Sequence, residues 1–180
     1  MIKTLLIANR GEIALRVIRT ARDLGIHTVA IHTDIDASAP HAREADAAVR
    51  VTSYLDIDEV VAAARDCDAD AVHPGYGFLS ERSAFARALE DAGITLVGPS
   101  ADVMDKMGRK DAAREIAVAA GVPVVPSHAS VEPVEAMAFP VLVKAASGGG
   151  GKGMRIVRSE GEYDEAVAAV SYTHLTLPTN

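Results

Sequence analysis

Apolar residues in this chain come in short unbroken runs, separated by stretches in which they recur every three or four positions. Ile2 to Ala8 reads as a buried strand by its continuous apolar character, and His27 to Thr33, Val49 to Val51, Ala69 to His73 and Ile94 to Val97 read as four further strands. Between the first two, Ala14, Val17, Ile18 and Ala21 fall on one helical stripe, with Glu12 in the first turn and Gly25 as a left-handed cap. A short helix over 41–48 follows the second strand. Another spans 54–66, started by Asp56 and Asp58, with Val60, Val61 and Ala64 on one side. Residues 83–92 form a helix capped by Gly93, and Ser100 caps a last one through Met107. Strand and helix alternating in this way predict an α/β, Rossmann-like unit: a doubly wound parallel sheet with helices on both faces. His32 reads as a structural strand residue. Ligands of such sheets sit at the carboxyl ends of strands, which points to the loop 74–81.

The pattern changes near residue 108. A helix over 109–120 ends at Gly121, and the proline-punctuated Val122 to Pro126 reads as extended. Val134 to Ala138 is a short helical piece. A strand–glycine loop–strand hairpin comes next, and then a helix over 159–170 with Ser159 as its cap and Glu162 at its third position. Two strands and two helices bury too little to complete a domain.

The hairpin carries the chain's sharpest chemical signal. Phe139 to Lys144 runs into Gly148-Gly149-Gly150-Gly151-Lys152-Gly153-Met154. Glycines let backbone N–H groups come close to phosphate oxygens, and two lysines add positive charge. A flexible hairpin tip would show the same glycines. The phosphate loop G-x-x-x-x-G-K-[ST] fails here at Ala146 and Gly153. Gly148, Gly150 and Gly153 satisfy G-x-G-x-x-G formally, but the following Met154 to Val157 is a strand where that motif needs a helix. Strand, glycine loop and strand together make a flap that can close on a triphosphate.

Composition narrows the function classes. The net charge of −7 and the lack of a basic stripe argue against nucleic acid as a partner. No apolar run has the length of a membrane span, and no signal peptide opens the chain, so a cytoplasmic location is expected. The single cysteine, Cys67, cannot form an internal disulfide and reads as a structural thiol at a helix end. The histidines have no metal-ligand spacing, so no metal site is assigned.

Four segments in order resemble the biotin carboxylase component of the biotin-dependent carboxylases: Ile7 to Ala14, His73 to Glu81, Met107 to Lys110, and Lys144 to Met154. The resemblance covers residues 1 to about 170. It implies a Rossmann-like pre-ATP-grasp domain over 1–108 and the start of an ATP-grasp lid over 109–170. It also implies an ATP-dependent carbon–nitrogen ligase that carboxylates biotin on a carrier protein, using bicarbonate and Mg²⁺ through carboxyphosphate. By position, Lys110, Lys144, Gly148, Gly149, Gly150, Gly151, Gly153 and Met154 match residues that meet ATP. Tyr76 and Gly77 match a loop facing biotin. The implied partners are the biotin carboxyl carrier protein and the carboxyltransferase, and the implied assembly is a homodimer.

Some positions depart from the family. Arg109 stands where Asp is usual, and Arg82 where Asn commonly follows Ser-Glu. After Val170 the likeness stops, and 171–180 reads as a non-native tail. The family's Mg²⁺-binding glutamates, bicarbonate-binding arginine and general base belong to the missing ATP-grasp body. No catalytic residue is therefore assigned, and the chain alone is expected to be inactive. Two rivals stay open: another ATP-grasp ligase, such as a carbamoyl-phosphate synthase or a purine-pathway carboxylase, and a non-catalytic nucleotide-binding remnant.

Overall fold

The computed structural model describes residues 2–108, 110–125, 134, 137–144 and 153–176, with the backbone alone for 110, 111 and 171–176. The chain divides into two compact units, Met1–Lys106 and Met107–Asn180.

In the first unit five strands, β1 (Thr4–Ile7), β2 (His27–His32), β3 (Ala47–Arg50), β4 (Ala71–His73) and β5 (Thr95–Leu96), form one sheet in the order β3-β2-β1-β4-β5. Every pairing is parallel. The inner strands β1, β2 and β4 are largely buried, which explains their apolar runs, whereas the edge strands β3 and β5 are largely exposed. Leu5, Ile7 and Ala71 pack with Ala14, Ile18 and Ala21 of α1 (Gly11–Asp23). On the opposite face Leu6, Val29, Ile31 and Val72 pack with Val60, Val61 and Ala64 of α3 (Ile57–Asp66) and with Phe85 and Leu89 of α4 (Ser83–Asp91). The expected doubly wound sheet is therefore present. α5 (Ala101–Met107) ends the unit's run of elements, and Ser100 Oγ accepts from the Val103 N–H at 3.4 Å as an N-cap should.

Three local expectations need correction. The helix expected over 41–48 is α2, Pro40–Glu44, and Ala47 and Ala48 belong to β3. The Asp46 carboxylate accepts from the Thr28 backbone N–H at 2.8 Å and from its hydroxyl at 2.7 Å, so the chain is drawn onto β2 before the helix can continue. The helix expected from Tyr54 begins at Ile57, because Asp56 caps it by accepting from the Glu59 N–H at 3.0 Å. Ser159 makes no side-chain cap. A 3-10 turn, Glu160–Glu162, intervenes, and the Glu162 carboxylate takes the Arg158 N–H at 2.9 Å.

The second unit contains α6 (Lys110–Ala119), an antiparallel pair of β6 (Val141–Lys144) and β7 (Met154–Val157), and α7 (Tyr163–Thr176). α7 crosses the 170/171 boundary drawn from the sequence and continues to Thr176. The expectations for Arg109, for Gly148 to Gly151, for Pro126, for 135–136 within the short helical piece and for 177–180 lie outside the described residues.

Candidate functional site

The strand order reverses direction at β1, so the loops after β1 and β4 diverge and would leave a crevice between them, where doubly wound folds bind nucleotides. Here a side chain bridges the two loops. Asn9, fully buried, donates through Nδ2 to the Pro74 carbonyl at 2.7 Å and to the Tyr76 carbonyl at 3.0 Å. Its Oδ1 accepts from the Arg10 N–H at 2.9 Å. The side-chain nitrogen thus joins the two loops, while the oxygen fastens the loop after β1 to itself. Gly75 lies against this junction at φ +62, and a Cβ there would sit 2.6 Å from Ile13 Cγ2 and 2.7 Å from Asn9 Nδ2. Only glycine fits.

The junction presents the two residues expected to face biotin. Tyr76 is 63% exposed, and its hydroxyl donates to Glu12 Oε1 at 2.6 Å. That bond to a carboxylate, helped by local desolvation, raises the pKa of the phenol. Gly77 has φ +71 with open space where a Cβ would stand, so its backbone is accessible from that side.

Next along the same edge is a polar group that sequence reasoning missed. Phe78, at φ 45, stacks on Tyr54 with ring centroids 5.2 Å apart, and the Arg10 guanidinium lies 6.0 Å from the Phe78 centroid. Asp36 accepts from the Tyr54 hydroxyl at 2.6 Å and from the Thr33 N–H and hydroxyl at 2.7 and 2.8 Å. Burial opposes the charge on Asp36, but these hydrogen bonds outweigh it and hold the carboxyl below its usual range. Burial pushes His41 down and Tyr54 up. Loops after β1, β2, β3 and β4 are thereby tied together. The only sequence signal was an aspartate three residues after a threonine at a strand end.

In the second unit Lys144 ends β6 and pairs across the hairpin with Met154, which opens β7 after Gly153 at φ 71. Alternation puts Leu142, Lys144, Met154 and Ile156 on one face. That face is open: Leu142 is 52%, Met154 40% and Ile156 59% exposed. Val157, on the other face, is fully buried, and α7 lies beside the hairpin. A thioether and two aliphatic chains next to an ammonium offer a flat apolar contact for an aromatic ring and a point charge for a phosphate. Lys110 begins α6 and is described by its backbone alone. Among the described residues no group of three or more His, Cys, Asp or Glu could hold a metal ion, and no helix is long and apolar enough to cross a membrane. Cys67 caps the end of α3, its thiol pKa raised by burial, as expected of a structural cysteine.

A parallel α/β unit followed in sequence by a small antiparallel hairpin has the fold class of the ATP-grasp ligases. Residues 1–104 match the family described as "Biotin carboxylase, N-terminal domain", and residues 105–176 match "Carbamoyl-phosphate synthase L chain, ATP binding domain". The chain belongs to the biotin carboxylase family. It is 49% identical to biotin carboxylase 1 of Bacillus subtilis (strain 168), over 90% of this chain and 39% of that protein. It is 48% identical to human mitochondrial pyruvate carboxylase, over 91% of this chain and 15% of that protein. A solved structure, the biotin carboxylase domain dimer of Hydrogenobacter thermophilus 2-oxoglutarate carboxylase with MgADP, ADP and bicarbonate, is 43% identical. It superposes with a TM-score of 0.83 over 96% of this chain and 42% of that one. The chain thus spans about two fifths or less of these relatives.

Proposed function

We propose that this chain is the amino-terminal portion of a biotin carboxylase, which in its whole form carboxylates biotin on a carrier protein using ATP and bicarbonate through carboxyphosphate. The observation that carries the reading is the exposed Leu142–Lys144–Met154–Ile156 face at the root of the glycine loop. In this reading the face is the underside of a flap. Met154 lies by the adenine, Lys110 and Lys144 meet the phosphates, and the backbone of Gly148 to Gly151 and Gly153 closes over them. Two ammonium groups would stabilise the charge that develops as the terminal phosphoryl group passes to bicarbonate. Tyr76 and Gly77 would face the biotin. The described residues hold no group of three or more carboxylates, histidines or cysteines that could bind Mg²⁺. Residues 1–108 would be the pre-ATP-grasp domain and 109–170 the incomplete lid, a division supported by the two family matches and the two compact units. The match over 1–104 favours biotin carboxylase over the carbamoyl-phosphate synthases, whose name is attached to the second match. A carboxyltransferase partner and a homodimer belong to the same reading.

Titration of the 180-residue chain with ATP tests it. Loss of one charge-assisted phosphate contact is worth ~1.5–3 kcal/mol, so Lys144→Ala should weaken binding about 10- to 100-fold. Equal affinity in chain and variant would remove Lys144 from the site, and no binding by either would leave a non-binding remnant. Biotin-dependent ATP hydrolysis is expected to be absent, because the carboxylates that would hold the metal are missing from what the resemblance covers. Turnover by the purified chain would overturn that expectation.

A further inference from the structure

Among the described contacts, three polar ones hold the backbone of residues 74–76, which presents Tyr76, and two of them come from Asn9. Those two go to carbonyl oxygens, of Pro74 and Tyr76. The third is different in kind: the Gly75 N–H donates to His73 Nδ1 at 3.0 Å. A side-chain acceptor for the N–H two residues later is the bond that Asn and Asp usually make to fix a turn. Histidine can make it only with Nδ1 unprotonated and the proton on Nε2. The strand beneath is already paired, with the Ala8 N–H donating to the His73 carbonyl at 2.9 Å. The imidazole is thus the one titratable group in this chain of contacts that holds the loop's own backbone.

We infer that His73 is a positioning residue: its neutral imidazole holds the Gly75 N–H, sets the Pro74–Gly77 turn that presents Tyr76, and releases that turn when it takes up a proton. The inference rests on the proposed biotin-facing role of Tyr76 for its bearing on function, and on geometry alone for the turn itself. Protonation places an N–H where the acceptor was, opposite the Gly75 N–H, so the bond is lost and two donors face each other. Burial alone holds the imidazole below its ordinary value of 6.5. The charged groups on the surrounding elements, Glu12 and Arg16 on α1, Glu81 and Arg82 on its own loop, and Arg87 and Glu90 on α4, add nothing to that displacement. β1 and β5, the strands on either side, carry no charged side chain. The sign follows. The ordered turn binds the proton less well than the released one, so order is complete above pH 6.5 and is lost progressively as the pH falls below it.

NMR on the 180-residue chain tests the inference through the Gly75 amide, with biotin absent. Between about pH 7.5 and about pH 5, Gly75 exchange protection should fall by about tenfold or more, the equivalent of one hydrogen bond. His73→Asn keeps an acceptor two residues before the same N–H and cannot titrate, so its Gly75 protection should stay level across that range. His73→Phe should lack protection throughout. A merely structural histidine would leave the asparagine variant no better than the phenylalanine one. The inference is overturned if wild-type protection is level, if His73→Asn titrates like wild type, or if ¹⁵N shifts place the neutral proton on Nδ1. The last measurement needs no variant, so failure of a variant to fold does not protect the idea. Biotin binding is read separately: an intact turn with no affinity for biotin counts against the proposed function and leaves this inference standing.

Discussion

Gly75→Ala is expected to destabilise the first unit by about 3 kcal/mol, against about 1 kcal/mol for Gly77→Ala. Both residues have positive φ, which costs an alanine ~1–2 kcal/mol. They differ in their surroundings. A Cβ on Gly75 meets Ile13 and Asn9 at 2.6 and 2.7 Å, and forcing atoms into a packed site costs a further ~1–3 kcal/mol, whereas a Cβ on Gly77 meets nothing within 4 Å. Urea unfolding followed by exchange of the β1 and β4 amides reads the difference, because it reports on this unit alone. Equal costs for the two substitutions would mean that the loop can move away from Asn9 without penalty. Gly77→Ala should in turn do more to ligand affinity than to stability, since its open side is where a ligand can approach.

The second large effect is expected at Asn9. Truncation to alanine leaves the Pro74 carbonyl without its partner in a buried place, and the Tyr76 carbonyl and Arg10 N–H without theirs where they are part-buried. Unsatisfied buried groups cost ~1–3 kcal/mol each, and with some relaxation Asn9→Ala should lose about 3 kcal/mol. The two sites touch, so they should not act independently. Trimming Asn9 removes one of the two obstacles to an alanine at 75 and leaves the Ile13 methyl group. The double variant should therefore cost about 1 kcal/mol less than the sum, within the usual range for residues in contact. Strict additivity would show that Gly75 and Asn9 do not share the contact described.

The sheet was readable from the chain because period and burial agree. Leu5 to Ile7, Val29 to Ile31 and Ala71-Val72 are apolar on both faces, and both faces are covered. The stripe of Ala14, Ile18 and Ala21 on α1 was readable for the same reason. Expectations failed where a side chain from a distant residue overrode local preference. The residues 45–48 have helical composition, yet Thr28 and Asp46 pull them toward β2. Ser159 and Glu162 have capping-box spacing, but Glu162 bonds Arg158 instead. The turn 74–77 could be placed at a strand end by its position alone. Its fastening could not, because Asn9 and Pro74 are sixty-five residues apart and no periodicity links them. The Tyr54–Asp36–Phe78 group was hidden for the same reason: its members are ordinary residues in three separate loops.

Asn9 has a thermodynamic consequence beyond stability. Ordering a free residue costs ~1–2 kcal/mol of conformational entropy, so a loose loop of four residues would lose several kcal/mol at the moment a ligand docked. By closing the loop onto β1 as the sheet forms, the asparagine moves that loss from binding to folding. If Tyr76 and Gly77 face a ligand as proposed, it meets a surface already frozen in shape, and its affinity depends on what it touches there.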